Sequence, residues 1–259
     1  VAVACLGLTG CTAATASVSG KDTLVIGVKA DQPGLALLEK GTYRGFEVDV
    51  GSYIAKQVGA TRVTFRTVTS ANREDLLNDH SVDLVLASYS ITPDRAKLVT
   101  FGGPYYVAHQ DIMVRQEENG VQNVRDLAGR RMCQASGSVS TERVVTGLGI
   151  KPRLVPSPSY SDCVRKLLNG GVDAVSTGDL VLAGFATRFR NRVKIMNVPF
   201  TDERYGVGLR SGDVDGCEKV NRALTLMYQD GTAARLLHRW FGASNLALTT
   251  SVPEFEGCF

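Results

Sequence analysis

A chain of 259 residues and 27.8 kDa is long enough for one large domain or two ordinary lobes around a buried core. Apolar residues at 44% and charged residues at 21% are globular proportions, and the 27 glycines and 8 prolines follow no period, which excludes fibrous and low-complexity classes. With 29 Lys+Arg against 26 Asp+Glu the net charge is +3, so nothing electrostatic points to nucleic acid, and no run of 18 apolar residues predicts a membrane-spanning helix.

The first eight residues, VAVACLGL, are apolar and uncharged, and they lead into Leu8-Thr9-Gly10-Cys11. This resembles the back half of a secretory signal ending in a lipobox, the cleavage site of bacterial lipoproteins. On that reading Cys5 leaves with the leader, Cys11 carries lipid, and the small polar residues 12–20 form a tether. The other reading is a frayed first strand with an incidental cysteine.

Lys21 to Lys29 alternates and is β-branched, which predicts a strand. A loop at Asp31-Gln32-Pro33-Gly34 follows, then a helix in which Val50, Ile54, Ala55 and Val58 recur at helical spacing before Gly59. Arg62 to Thr67 is a strand, Asn72 to Asn78 a helix, and Val82 to Ala87 a short apolar strand of the kind buried in parallel sheets. The same grammar repeats. Strands are expected at Gln110 to Arg115, Arg130 to Gln134, Arg153 to Val155, Val172 to Val175, Val193 to Val198 and Gly206 to Leu209. A short helical turn is expected at Val124 to Gly129. Full helices are expected at Ser140 to Leu148, Ser159 to Leu168, Leu180 to Phe189, Cys217 to Tyr228 and Thr232 to Trp240. Two α/β modules in series predict two lobes with a cleft, and ligands of open α/β sheets bind at the carboxyl ends of strands.

Seven blocks now stand in one order: Gly45-Phe46-Glu47-Val48-Asp49, Ser90-Ile91-Thr92-Pro93-Asp94-Arg95, Phe101-Gly102-Gly103-Pro104-Tyr105-Tyr106, Leu127-Ala128-Gly129-Arg130-Arg131, Gly137-Ser138, Gly171-Val172-Asp173-Ala174-Val175, and Asp230-Gly231-Thr232 with Arg239-Trp240-Phe241-Gly242. In this order and spacing they resemble the family-3 extracellular solute-binding proteins, the polar amino-acid receptors of ABC importers, over about residues 21 to 242. Asp31-Gln32-Pro33-Gly34 and residues 105–111 look closest to the actinobacterial glutamate/glutamine-binding lipoproteins of that family. The resemblance implies an α/β, two-lobe periplasmic-binding-protein-like (type II) clamp, each lobe a mixed sheet flanked by helices, joined by a two-strand hinge. Residues 1–20 would be leader and tether, 21–110 with 204–259 the first lobe, and 111–203 the second. Within those lobes Cys133 pairs with Cys163 and Cys217 with Cys258, each bridge worth roughly 3–4 kcal/mol in the chain-entropy model. Metal binding is the weaker alternative, since no C-x-x-C or Cys/His cluster occurs.

A free amino acid presents a carboxylate and an ammonium on one carbon, and a dry site must pair both. Arg95 follows Thr92-Pro93-Asp94, a helix start with Thr as N-cap and Pro at N1, and the resemblance places the α-carboxylate arginine there. Ser88 and Ser90 precede it. In the family this stretch supplies a carbonyl to the ammonium and a hydroxyl and N–H to the carboxylate; taken alone, such serines are turn residues. Across the cleft, Gly137-Ser138-Val139 opens a helix whose free N–H groups attract an anion, Val139 offering only its N–H where relatives carry a second hydroxyl. The family's ammonium-binding aspartate falls on Gly178. Asp179, one residue on, either takes that role or caps its helix, and Asp31 is a further acceptor. Arg73 resembles the second arginine that acidic-amino-acid binders aim at the ligand side chain, with Arg44 as helper; its alternative is a surface residue beside Glu74 and Asp75. Leu35 replaces an aromatic wall, Tyr43, Tyr89 and Tyr105 are spare aromatics better suited to packing, and His109 is expected to be structural.

His80, His109 and His238 lie far apart, and no G-x-S-x-G, H-E-x-x-H or Walker pattern appears. The expectation is therefore no enzyme, no cofactor and no metal. It is a lipid-anchored receptor outside the cell membrane, a monomer that hands glutamate, or next aspartate or glutamine, to an ABC permease. An extracellular amino-acid sensor and an exported enzyme on the same fold are the alternatives. The lack of a membrane-spanning helix to link a sensor to a signalling domain favours transport.

Overall fold

The computed structural model describes residues 17–258, so Cys5, Cys11 and the lipobox reading lie outside the described residues. The chain opens with β1 (Thr23–Val28), the small antiparallel sheet β2 (Asp31–Gln32), β3 (Ala36–Glu39) and β4 (Thr42–Arg44), then α1 (Phe46–Gln57), β5 (Arg62–Thr67), α2 (Arg73–Asn78), β6 (Leu84–Leu86) and α3 (Pro93–Ala96). One long strand, β7 (Val99–Arg115), carries the chain onward. Next come β8 (Arg131–Ala135), α4 (Ser140–Glu142), β9 (Arg153–Ser157), α5 (Tyr160–Leu168), β10 (Val175–Gly178), α6 (Asp179–Arg188) and β11 (Val193–Ile195). The return runs through β12 (Thr201–Arg210), and α7 (Val214–Gln229) and α8 (Thr232–Phe241) close the fold.

The architecture is a two-lobe α/β fold built on β7 and β12. The strands of both lobes join in one hydrogen-bonded sheet of order β10-β7-β12-β6-β1-β5, with β11 also on β7, while β8 and β9 form a separate parallel pair. β1 is parallel to β5 and β6, and β12 runs antiparallel to both β6 and β7. At about 3.3 Å per residue a 17-residue strand spans about 55 Å, enough to serve both lobes.

Several segments depart from the pattern in the sequence. Residues 99–109, where the sequence pattern predicts no strand, belong to β7 and are almost wholly buried although they hold Gly102, Gly103 and Pro104. The cover is α7: a Cβ on Gly102 would lie 2.7 Å from a Val220 methyl, so the glycine lets the helix seat on the strand. The expected helix Ser140 to Leu148 is one α turn continued by a π turn, Arg143–Gly147. The expected loop at 31–34 is the β2–β3 hairpin, and β10 lies over Val175–Gly178 rather than Val172 to Val175.

Helix ends and faces follow local chemistry. α5 buries Tyr160, Cys163, Val164 and Leu167 at one helical face, and its Ser159 cap accepts from the Asp162 N–H at 3.3 Å. α7 starts on Asp213, whose carboxylate accepts from Gly216 N at 3.0 Å. Disulfides Cys133–Cys163 and Cys217–Cys258 tie β8 to α5 and the C-terminal segment to α7.

Asp173 anchors β8 by charge. Its carboxylate accepts from the Arg131 backbone N–H at 2.9 Å and from the Arg131 guanidinium at 3.1 and 2.6 Å. Those hydrogen bonds hold its pKa down to about 2. A carboxylate with a depressed folded pKa adds stability that is present above its unfolded value near 4 and lost as pH falls toward 2. Asp173→Asn should therefore cost about 1–2 kcal/mol at pH 7, screening by the exposed Arg131 side included. The gap between wild type and variant should narrow between about pH 4 and pH 2 in chemical denaturation. A gap that stays constant over that window would reject the pairing.

Candidate functional site

The site is built where β6, α3 and β12 meet the starts of α4, α5 and α6. After β6 the chain turns sharply at Ser88, whose φ of 44° is uncommon for a residue with a side chain. That backbone is held by Glu47 at the start of α1: the fully buried carboxylate accepts from Ser88 N at 2.6 Å and from the Tyr105 hydroxyl at 2.5 Å. Burial raises the Glu47 pKa, while these two hydrogen bonds oppose the rise. The turn presents Ser88 and Ser90 toward the second lobe.

Thr92 and Pro93 then start α3, with Thr92 Oγ1 accepting from Arg95 N at 3.3 Å. This short cap aims the Arg95 side chain inward, where it is only 8% exposed. Its guanidinium donates to the Ser90 carbonyl at 2.8 Å and, across the cleft, to the Gly137 carbonyl at 2.9 Å. Arg73, the first residue of α2, is 1% exposed and donates to the Ala87 carbonyl at 3.1 Å. Its guanidinium carbon stacks 3.7 Å from the centroid of the Tyr89 ring, and that of Arg95 lies 5.3 Å from the same ring. Glu74 balances the pair: its Oε1 is 3.5 Å from Arg73 Nε and 3.7 Å from Arg95 Nε, and it accepts from the Tyr89 hydroxyl at 2.7 Å. Burial, and then the Arg73 charge, lower the Arg95 pKa to about 10, which leaves it cationic at neutral pH.

The opposite wall is a cluster of hydroxyls. Ser138 Oγ lies 2.6 Å from the Tyr160 hydroxyl, which in turn donates to Ser140 Oγ at 3.1 Å, and Ser140 reaches Thr177 at 3.5 Å. The floor comes from β12, where the Glu203 carboxylate accepts from the Ser90 hydroxyl at 2.6 Å. Between these walls lies a closed polar cavity lined by Ser70, Arg73, Ser88, Ser90, Arg95, Ser138 to Ser140, Tyr160, Thr177, Gly178, Glu203 and Tyr205. Its free space of about 10 Å³ has room for about one water, so the walls must part to admit a ligand. Arg95 and Val139 also line a separate, wider groove with Ile91, Asp94, Arg143 and Arg204.

Of the residues expected at a ligand, Arg95, Arg73, Ser88, Ser90, Ser138 and Val139 line this cavity. Three do not. Asp31 accepts a hydrogen bond from the Ser161 hydroxyl at 2.6 Å, Arg44 is exposed at the end of β4, and the Asp179 carboxylate turns onto the Leu180 N–H at 2.6 Å, at the start of α6. Burial raises the Asp179 pKa to about 6. The spare aromatics divide: Tyr89 and Tyr105 are fully buried, while Tyr43 packs on Phe65. His109 bonds to Asp202 at 2.8 Å between β7 and β12. Sequence reading missed Ser70, Ser140, Tyr160, Thr177, Glu203 and Tyr205. Only the last pair left a usable signal, since 201–210 alternates as a strand and i, i+2 residues share a face.

The geometry has known counterparts. The family described as bacterial extracellular solute-binding proteins, family 3, matches residues 24–243. The glutamate-binding protein GluB of Corynebacterium glutamicum is 35% identical over 242 residues, 88% of this chain and 81% of its own. The ABC transporter glutamine-binding protein GlnH of Bacillus subtilis is 28% identical over 230 residues, 87% of this chain and 83% of its own. Among solved structures, an ancestral arginine-binding protein bound to glutamine superimposes with a TM-score of 0.78 at 32% identity, over 86% of this chain and 99% of that one. These relatives are binding proteins, not enzymes. With its fold, its polar interlobe cavity and a match along most of its length, the chain belongs to family 3 of the bacterial extracellular solute-binding proteins.

Proposed function

We propose that this extracytoplasmic amino-acid-binding protein captures glutamate, ahead of aspartate or glutamine, and delivers it to an ABC permease. One observation carries the reading: two buried guanidinium groups, Arg95 and Arg73, line a single small cavity. Two fixed cations match a ligand with two carboxylates, because each buried charge needs a partner once water is excluded. Arg95 takes the α-carboxylate together with the Val139 N–H. Arg73 takes the side-chain carboxylate. Relatives named for glutamine, arginine and cystine support the amino-acid class, while the second arginine supports the acidic choice.

Capture works by lobe closure about β7 and β12, with the first lobe formed by residues 21–110 and 204–259 and the second by 111–203. Close glycine approaches across the cleft support this. Gly137 (φ 71°) stands so near Ser70 that a Cβ there would lie 2.3 Å from the Ser70 carbonyl oxygen. The sequence around Cys11 further supports a lipid tether on the outer face of the membrane, with the protein acting as a monomer.

A thermal-shift panel of free amino acids tests the ligand. Glutamate at 100 times its Kd should stabilise the protein by about 2.7 kcal/mol, and Arg95→Ala should abolish every shift. A response to arginine or glutamine without one to glutamate would reject the two-cation argument. Arg73→Gln should weaken glutamate by about 10–100-fold, in line with the loss of one charge-assisted contact, and glutamine by much less. Equal losses in titration calorimetry would place Arg73 in a purely structural role. Gly137→Ala should cost the ligand-free protein about 1 kcal/mol through its positive φ and should in addition lower affinity for every ligand, since only the closed form also meets the Ser70 clash. An unchanged Kd would rule out closure through that contact.

A further inference from the structure

We propose that Glu203, on β12, accepts the ligand's ammonium group, a role that the residues following β10 leave open. The inference rests on the amino-acid reading above and adds the residue that distinguishes an amino acid from a plain carboxylic acid. An amino acid brings a cation into the cavity, and a buried cation needs an anion beside it. Among the described residues that line the cavity, Glu203 is the only carboxylate, and it is 1% exposed.

Position 178 is closed to a side chain. A Cβ on Gly178 would lie 2.1 Å from the Tyr205 hydroxyl oxygen and 3.3 Å from Ala108 Cβ. Tyr205 is itself buried, and it sits two residues from Glu203 on the same face of β12. The strand that fills the space at 178 therefore carries a carboxylate into the same cavity.

The placement suits the chemistry of one carbon atom. Ser90 touches both partners: its carbonyl accepts from Arg95 at 2.8 Å, and its hydroxyl donates to Glu203 Oε2 at 2.6 Å. Cation and anion thus flank one residue, as the carboxylate and ammonium of an α-amino acid require. Glu203 Oε1 is ion-paired with Arg143 Nε at 2.6 Å. Arg143 comes from the π turn after α4 and is 30% exposed at its side chain, so it can yield that oxygen to the ligand and turn to the mouth of the cleft. With glutamate bound, two guanidinium groups face two carboxylates and Glu203 faces the ammonium.

Titration calorimetry with two matched pairs tests this: L-glutamate against glutarate, and L-glutamine against 4-carbamoylbutanoate, each second compound being the first without its amino group. Glu203→Gln should weaken both amino acids by about 100-fold or more, and should leave the des-amino acids unchanged or tighter. Glu203→Asp keeps the charge on a shorter stem and should lose part of the amino-acid affinity alone; it serves if the Gln variant fails to fold. Arg143→Gln should hold amino-acid affinity within about 3-fold. Equal losses for amino and des-amino partners in the Glu203 variants, or a matching loss in Arg143→Gln, would overturn the inference and make Glu203 a lobe contact only. Wild-type binding of glutamate with full retention in Glu203→Gln would overturn the inference alone. A wild type that binds no L-glutamate, L-glutamine or L-arginine would overturn the amino-acid reading and this assignment together.

Discussion

Two guanidinium groups share the face of one tyrosine ring in the interior of this protein, and most of the surrounding structure answers the cost of keeping them there. Charges of like sign in a dry site repel strongly. Glu74 offsets part of the charge from 3.5 and 3.7 Å, the Tyr89 face offsets part through its π electrons, and backbone carbonyls of Ala87, Ser90 and Gly137 accept the remaining donors. Glu203, across the cavity, is a second carboxylate facing the two cations, so the cavity presents fixed charges of both signs to a ligand.

The second constraint is close approach. The lobes meet where side chains are missing: Gly137 against Ser70, Gly178 against Tyr205, and Gly184 against Pro33, whose carbonyl oxygen would lie 1.8 Å from a Cβ. These glycines do not share a sequence pattern or a conformation; Gly137 has a positive φ and the other two do not. What they share is a partner far away in the chain. Hydrogen bonds of the same kind join the lobes, Arg95 to Gly137 and Ser161 to Asp31, so the lobes meet through matched surfaces rather than one contact.

The framework that holds these surfaces is simpler. β7 and β12 pair along most of their lengths and serve both lobes, and their side chains supply Gln110, Glu203 and Tyr205 to the region where the lobes join. Gln110 donates to the Ser140 carbonyl at 2.9 Å and to Ser176 Oγ at 3.0 Å, which ties the strand to the hydroxyl wall. The connecting strands are therefore part of the site and not only a mechanical link.

Much of this was readable along the chain because it is enforced within a few residues. Thr92 caps α3 and orients Arg95 three positions later, Ser159 caps α5, and the apolar spacing of α5 and α8 marks their buried faces. The ordered blocks from Gly45 to Gly242 marked the family and the two-lobe fold. Tertiary structure decided the rest. Phe101 to Tyr106 became strand because α7 covers it, Asp179 turned to its own helix start, and Arg44 stayed at the surface. Ser90 meets Glu203 across 113 positions, and Tyr205 takes the space beside Gly178. Caps and periodicity act over about four residues and so leave a trace in the local sequence. The contacts that build the cavity join residues whose proximity exists only after both lobes have packed, and no local pattern records it.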